Sequence, residues 1–270
     1  MKFLTLAFAL LVLHASTTRA QAELLSPERQ REILHKALDD YDNAVAVGRE
    51  DPARAVQLYR ESAAGFNALV DAGLHNAALE YDLGNVYFRL GELGRAIVHY
   101  RRALRLAPAD QRLDANLRYA RDRVEPPIAP SGQHRLARQF LFWHYETSLA
   151  QRTTALLILT AVGWGLLFAW LGWRRRPLAV MGLVGVALSL AAGVSVRWQI
   201  EDEARQPHAV IVADQQYLRL GRGEGSDLAI KQPLGSGVEL RILQQRGGWI
   251  EVRLANDQTG WLPADSVQRV

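Results

Sequence analysis

Asn76 to Asp110 reads NAALEYDLGNVYFRLGELGRAIVHYRRALRLAPAD. The stretch holds two helical periods separated by Gly91, with Pro108 stopping the second. Gly84 in the first and Ala96 in the second are small, where two paired helices must cross closely. Tyr87, Ile97, Tyr100 and Leu104 are large and lie at helical spacing around those positions. The segment therefore predicts a helix pair that buries one face and presents another.

The spacing of Leu83-Gly84 and Tyr87, then of Ala96, Tyr100, Ala103 and Pro108, resembles a tetratricopeptide repeat. Glu80 departs from that pattern, since a large aromatic usually stands near the start of the first helix. Upstream, Pro52 to Tyr59 repeats the Ala-x-x-x-Tyr step, and Ser26-Pro27-Glu28 is a helix start before Ile33, Leu34, Ala37, Leu38 and Tyr41. A degraded first repeat is predicted from about Pro27 to Val70. Downstream, Leu113, Leu117 and Ala120 share one face of a helix whose other side is polar, as a terminal cap requires. An all-α repeat domain with a capping helix is predicted over 21–125. Repeats of this kind bind peptides in a groove lined by their first helices. Tyr81, Asn85 and Phe88 are the groove candidates, with Tyr119 from the cap beside them. Asn85 resembles the position that holds a peptide backbone or terminal carboxylate in clamp-type repeats. Arg89 and Arg112 are the candidate clamp cations. For each of these residues a solvated or internally packed role is the competing reading.

Thr153–Trp173 and Leu178–Val196 contain no charge and are each long enough to cross a bilayer as a helix. Residues 174–177, Arg-Arg-Arg-Pro, allow only a tight turn, so the two helices form an antiparallel hairpin. Three arginines place that turn in the cytoplasm and both flanking domains outside. Trp143, Trp173 and Trp198 lie near the segment ends, at interfacial depth. Ala161, Gly165 and Ala169 form a small-residue stripe, as do Gly185, Ser189 and Gly193. The stripes either pack the two spans together or receive a partner's helix. Neither span holds an ionisable residue, which favours an anchor over a conduit. The lipid bilayer is thus the expected surroundings of this hairpin.

Lys2, the apolar run Phe3–Leu13 and Thr18-Arg19-Ala20 read as a signal peptide over residues 1–20. An uncleaved anchor is the alternative, though eleven apolar residues make a short span. Glu125 to Gly132, rich in proline, predicts a stiff linker. Within the linker and juxtamembrane segment, 126–152, residues 134–150 carry Leu136, Phe140, Leu141, Trp143 and Tyr145. They form either a helix along the membrane surface or a short solvent-side helix.

Residues 207–270 switch to alternating order. Ala209–Val212, Val238–Leu243, Gly248–Leu254 and Thr259–Pro263 read as short strands divided by glycine turns. An all-β, SH3-like barrel is predicted. Gly248-Trp249-x-x-Val252 followed by Thr259-Gly260-Trp261-Leu262 resembles bacterial SH3 domains. Leu218-Arg219 stands where that family often has Asn-Val-Arg. Trp249 and Trp261 are expected in the barrel core rather than on a ligand platform.

Composition narrows the function classes. The chain has 32 Lys+Arg and 28 Asp+Glu. The basic excess falls in the leader and around the apolar middle, so no folded domain has the basic face that nucleic acid requires. There is no cysteine, which excludes disulfides, thiolate metal sites and cysteine nucleophiles. The histidines are scattered, and no His-Glu-x-x-His, Gly-x-Ser-x-Gly or phosphate-binding glycine loop occurs. Gly221 to Gly225 is glycine-rich but precedes no helix. No catalytic residue, metal or cofactor is expected.

The order of signal, tetratricopeptide repeats, hairpin with a basic turn and SH3-type domain resembles BatE-type proteins of the Bacteroides aerotolerance operon. Leu83–Phe88, Ala96–Pro108 and Asn116-Leu117 carry that likeness most sharply. The resemblance implies a multidomain protein of the bacterial inner membrane, with N- and C-terminal domains in the periplasm. It also implies a complex with von Willebrand-type A-domain membrane proteins and a MoxR-type ATPase, tied to oxidative or envelope stress. Two readings follow. One is a scaffold whose repeat groove recruits protein partners. The other is an envelope-binding module whose SH3-like domain holds cell-wall peptides.

Overall fold

The computed structural model describes residues 25–129, 131 and 149–270. The signal segment 1–20 and the juxtamembrane positions 134–148 lie outside the described residues. The chain divides into two compact units, one up to Leu106 and one from Ala107.

Among the described residues the first unit holds four helices: α1 (Pro27–Val47), α2 (Pro52–Asp71), α3 (Ala77–Arg89) and α4 (Leu93–Leu106). Local chemistry sets their starts. The side chains of Ser26, Asp51 and Asn76 accept from the backbone N–H of Arg29, Arg54 and Leu79, and proline opens α1 and α2. Gly91 ends the α3 turn at φ +79°, a conformation that favours glycine. Phe66, Leu69, Leu83, Val86, Ile97 and Val98 are fully buried between the helices. The two pairs approach closely at small residues. A Cβ on Gly84 would stand 2.5 Å from the Tyr100 ring, and one on Gly65 would stand 2.9 Å from the Ala37 Cβ. At that second crossing the Ser62 hydroxyl donates to the Ala37 carbonyl at 2.7 Å.

The second unit begins with α5 (Gln111–Arg121), which buries Leu113, Leu117 and Ala120 as the sequence predicts. The proline-rich segment after it is not a free-standing linker. Val124 and Ile128 pack on the core of the C-terminal sheet, and the Ser131 N–H donates to Ala255 O at 3.1 Å. Arg121 makes a two-pronged pair with Glu239, at 2.6 and 3.1 Å. A side chain on Gly235 would collide with the Glu125 carbonyl. A valine and an isoleucine flanking two prolines can pack on a sheet core, a role that composition alone does not reveal.

Two long apolar helices follow, α6 (Leu149–Trp173) and α7 (Arg176–Arg205). The turn shrinks to Arg174 and Arg175, with Arg174 at φ +54°. Both helices are long and apolar enough to cross a membrane, over Gln151–Trp173 and Arg176–Asp202. Their crossing differs from the one the stripes predict. Gly163 is the glycine of α6 that meets α7: its Cβ would stand 2.9 Å from Val186 N, and a Gly185 Cβ 3.0 Å from Gly163 Cα. Gly165 has nothing within 4 Å of its Cβ position. The Ala161-Gly165-Ala169 stripe is therefore rotated off the contact, because residue 163 is two positions, or roughly 200°, from 161 and 165 around the helix. On α7, Gly185 and Ser189 do face inward. Near the open end, buried Arg152 donates to Ser195 Oγ at 2.8 Å and to Gln199 Oε1.

The chain closes with a five-stranded antiparallel sheet, β1 (His208–Ile211), β2 (Glu239–Arg246), β3 (Trp249–Leu254), β4 (Thr259–Pro263) and β5 (Val267–Arg269), in the order β4-β3-β2-β1-β5. A bulge interrupts the β2–β3 register between Ile242 and Gln244. Ile250, Val252, Leu254 and Leu262 fill the core. Trp249 and Trp261 alternate with them and are half-buried, facing away from the core. The expectation that both tryptophans are core is thereby corrected: period two gives that face to their neighbours.

Candidate functional site

Helix α3 presents Tyr81, Asn85 and Phe88 at positions i, i+4 and i+7, one continuous face. All three are half-buried. Tyr100 of α4 organises them. Its hydroxyl donates to Asn85 Oδ1 at 2.9 Å, and its ring lies 6.2 Å from the Tyr81 ring at 47°. The absent side chain of Gly84 makes room for the same ring. One residue of α4 thus fixes a tyrosine and an amide of α3, leaving Asn85 internally hydrogen-bonded rather than merely solvated.

Arg89 is exposed at the end of α3 and acts on Tyr59 of α2. Burial raises the Tyr59 hydroxyl pKa, and the Arg89 guanidinium pulls weakly the other way. Arg112 and Tyr119 belong to α5, in the second unit. Arg112 pairs with Asp110 at 2.8 Å, which holds the Asp110 carboxyl below its usual range. Tyr119 is exposed, with the Arg123 guanidinium 3.5 Å from its ring centroid.

A polar chain behind this face is not anticipated by the sequence reading. Glu80 is 2% exposed and His99 4%. Glu80 Oε2 lies 2.7 Å from His99 Nδ1, and the His99 ring stacks on Tyr87 at 5.3 Å. Asn67 of α2 donates to the Tyr87 hydroxyl at 2.7 Å. Side chains from α2, α3 and α4 are joined in this way. Glu80 in register with Leu83 and Tyr87, and His99 between Ala96 and Ala103, are polar residues at core positions. That coincidence is the signal from which the pair could be read. Asp82 is also partly buried, and burial lifts its carboxyl from 3.8 to about 6.

Residues 77–110 match the family model of the tetratricopeptide repeat. The matched residues are α3, α4 and the turn that follows. A repeat of this kind suggests a role in protein interaction. The comparison with curated proteins returned no match.

Proposed function

We propose that the protein is a non-enzymatic, membrane-anchored scaffold whose repeat face recruits protein partners. The observation that carries this reading joins the two flanks of the apolar hairpin. Val124 and Ile128 precede α6, yet they pack on the core of the sheet that follows α7. Both flanks must then lie on one side of any membrane the helices cross, which supports two crossings and a hairpin. The arginines at 174–176 put the turn in the cytoplasm and the flanks in the periplasm. Tyr81, Asn85 and Phe88 supply the contact face, since aromatic anchors and oriented amides suit an extended peptide. The sheet, with its short antiparallel strands and bulged β2, supports an SH3-like domain. The arrangement fits a BatE-type component of an aerotolerance or envelope-stress complex, with A-domain membrane proteins and a MoxR-type ATPase as candidate partners.

The test is co-purification from gently solubilised membranes. Tyr81→Ala with Asn85→Ala should release the co-purifying proteins while helicity and membrane insertion persist. Retention of every partner by that variant sinks the scaffold reading. The outward position of Trp249 and Trp261 favours a second reading, an envelope-binding module for cell-wall peptides. Trp249→Ala with Trp261→Ala should abolish such binding if that reading holds, and leave the co-purifying set unchanged if it does not.

A further inference from the structure

Helix α3 carries three charged side chains, Glu80, Asp82 and Arg89. Glu80 is buried and committed to His99. The other two stand on one stripe: Ala78, Asp82, Asn85 and Arg89 occupy positions i, i+4, i+7 and i+11, with Tyr81 and Phe88 beside them. Ala78 and Arg89 are exposed, so the stripe is open to solvent at both ends.

Neither charge on this stripe is used by the fold. Asp82 is half-buried, yet among the described residues it accepts no hydrogen bond and pairs with no cation. Burial alone shifts its carboxyl, and no neighbouring charge offsets that shift. The fold therefore loses stability by keeping an acid here. Arg89 has no carboxylate partner among the described residues, and its guanidinium acts weakly on the Tyr59 hydroxyl. An acid that is taken partly out of water and left unpaired is placed for a contact made with another molecule.

The spacing says what that molecule carries. Seven residues of helix separate Asp82 from Arg89 by about 10.5 Å along the axis. An extended peptide covers that distance in about three residues. We propose that the α3 stripe binds an extended partner segment with a lysine or arginine three residues from an aspartate or glutamate, the cation on Asp82 and the anion on Arg89. The proposal rests on reading the α3 face as the recruiting surface and names the chemistry that surface takes. A segment with both signs gains two charge-assisted pairs, whereas one with two like charges gains one and meets one repulsion. Tyr81 and Phe88 give the residues between the charges an apolar surface to lie on. A nucleic acid or an anionic bilayer finds no patch of single sign here.

Full-length protein in mild detergent would be passed over bead-bound, acetylated hexapeptides joined to the resin as amides, so that side chains hold the only charges. Positions 2 and 5 are fixed as Lys and Glu, Glu and Lys, two Lys or two Glu, and the remaining positions are varied among uncharged residues. The two mixed-sign pools should bind about tenfold more tightly than either like-sign pool. Asp82→Asn should bring the two-Glu pool up to the mixed pools and leave the two-Lys pool weak. Arg89→Gln should do the opposite. Equal binding of all four pools, or a ranking unchanged in both variants, overturns the proposal; if that binding is lost in Tyr81→Ala with Asn85→Ala, the recruiting face itself stands. Binding by no pool, or binding that survives Tyr81→Ala with Asn85→Ala, overturns the face and the proposal together.

Discussion

Two helix pairs in this chain solve one packing problem in different ways. In the repeat, α3 and α4 cross where Gly84 accepts the face of a tyrosine ring, and the pair shows polar residues to solvent. In the apolar pair, α6 and α7 cross where Gly163 and Gly185 bring backbone against backbone, and leucines, valines and tryptophans face outward. Water drives the first pair together by burying apolar area, so a large side chain at the crossing is an advantage. For helices that cross a membrane, lipid would offer no such drive, and close backbone approach supplies the dispersion contacts instead. A glycine is thus a socket in one pair and a sliding surface in the other.

The sharpest way to break the comparison is at the socket. Tyr100 is buried and its ring sits 2.5 Å from a Gly84 Cβ, so Gly84→Leu has no room to relax. The cost should reach or exceed about 3 kcal/mol, the upper range for overpacking, and unfold the first unit. Circular dichroism melting of the full chain in detergent reads this as loss of the repeat transition. Unchanged melting would mean that α3 and α4 do not cross at Gly84.

The polar chain comes next. Glu80→Ala leaves His99 buried without its partner, a loss of about 1–3 kcal/mol. The double change Glu80→Leu with His99→Leu should recover most of it, since an apolar pair of similar size can replace a buried polar pair. Equal melting of the single and double variants would show that the pair does not couple α3 to α4.

At the sliding surface the two glycines of α6 separate the possibilities. Gly163→Leu should push α7 away, whereas Gly165→Leu should be silent. A Leu156→Cys, Gly193→Cys pair faces across the helices, where a Gly193 Cβ would lie 3.7 Å from the Leu156 side chain. Oxidative cross-linking of that pair should fall in the first background and persist in the second. The reverse pattern would restore the Ala161-Gly165-Ala169 stripe as the contact.

The smallest effect concerns Asp82. Its carboxyl is raised to about 6 by burial, so the folded unit holds the proton more tightly than the unfolded chain. The unfavourable buried charge is absent below 3.8 and complete above about 6, and stability falls as pH rises between them. Asp82→Asn should remove that slope and raise the melting temperature at neutral pH, with no gain in acid. Parallel pH profiles for the two proteins would contradict a buried carboxyl.

Much of this molecule is legible along the chain. Helical periodicity and the Gly84, Ala96 and Pro108 landmarks determine the repeat. Uncharged runs determine the two apolar helices, and alternation determines the strands. The face of α3 follows from spacing, because residues four apart share a helix side. What spacing cannot carry is the identity of the partner across an interface. Tyr100 taking hold of Asn85, Glu80 meeting His99 and Gly163 replacing Gly165 at the crossing all depend on how one helix is rotated against another. A rotation of one or two residues changes every such pair while leaving the sequence pattern intact. The proline-rich segment makes the same point at longer range. Its stiffness is local and belongs to the sequence, but its place on the sheet depends on Val124, Ile128 and the bare Cα of Gly235 meeting more than a hundred residues apart, which only the folded chain decides.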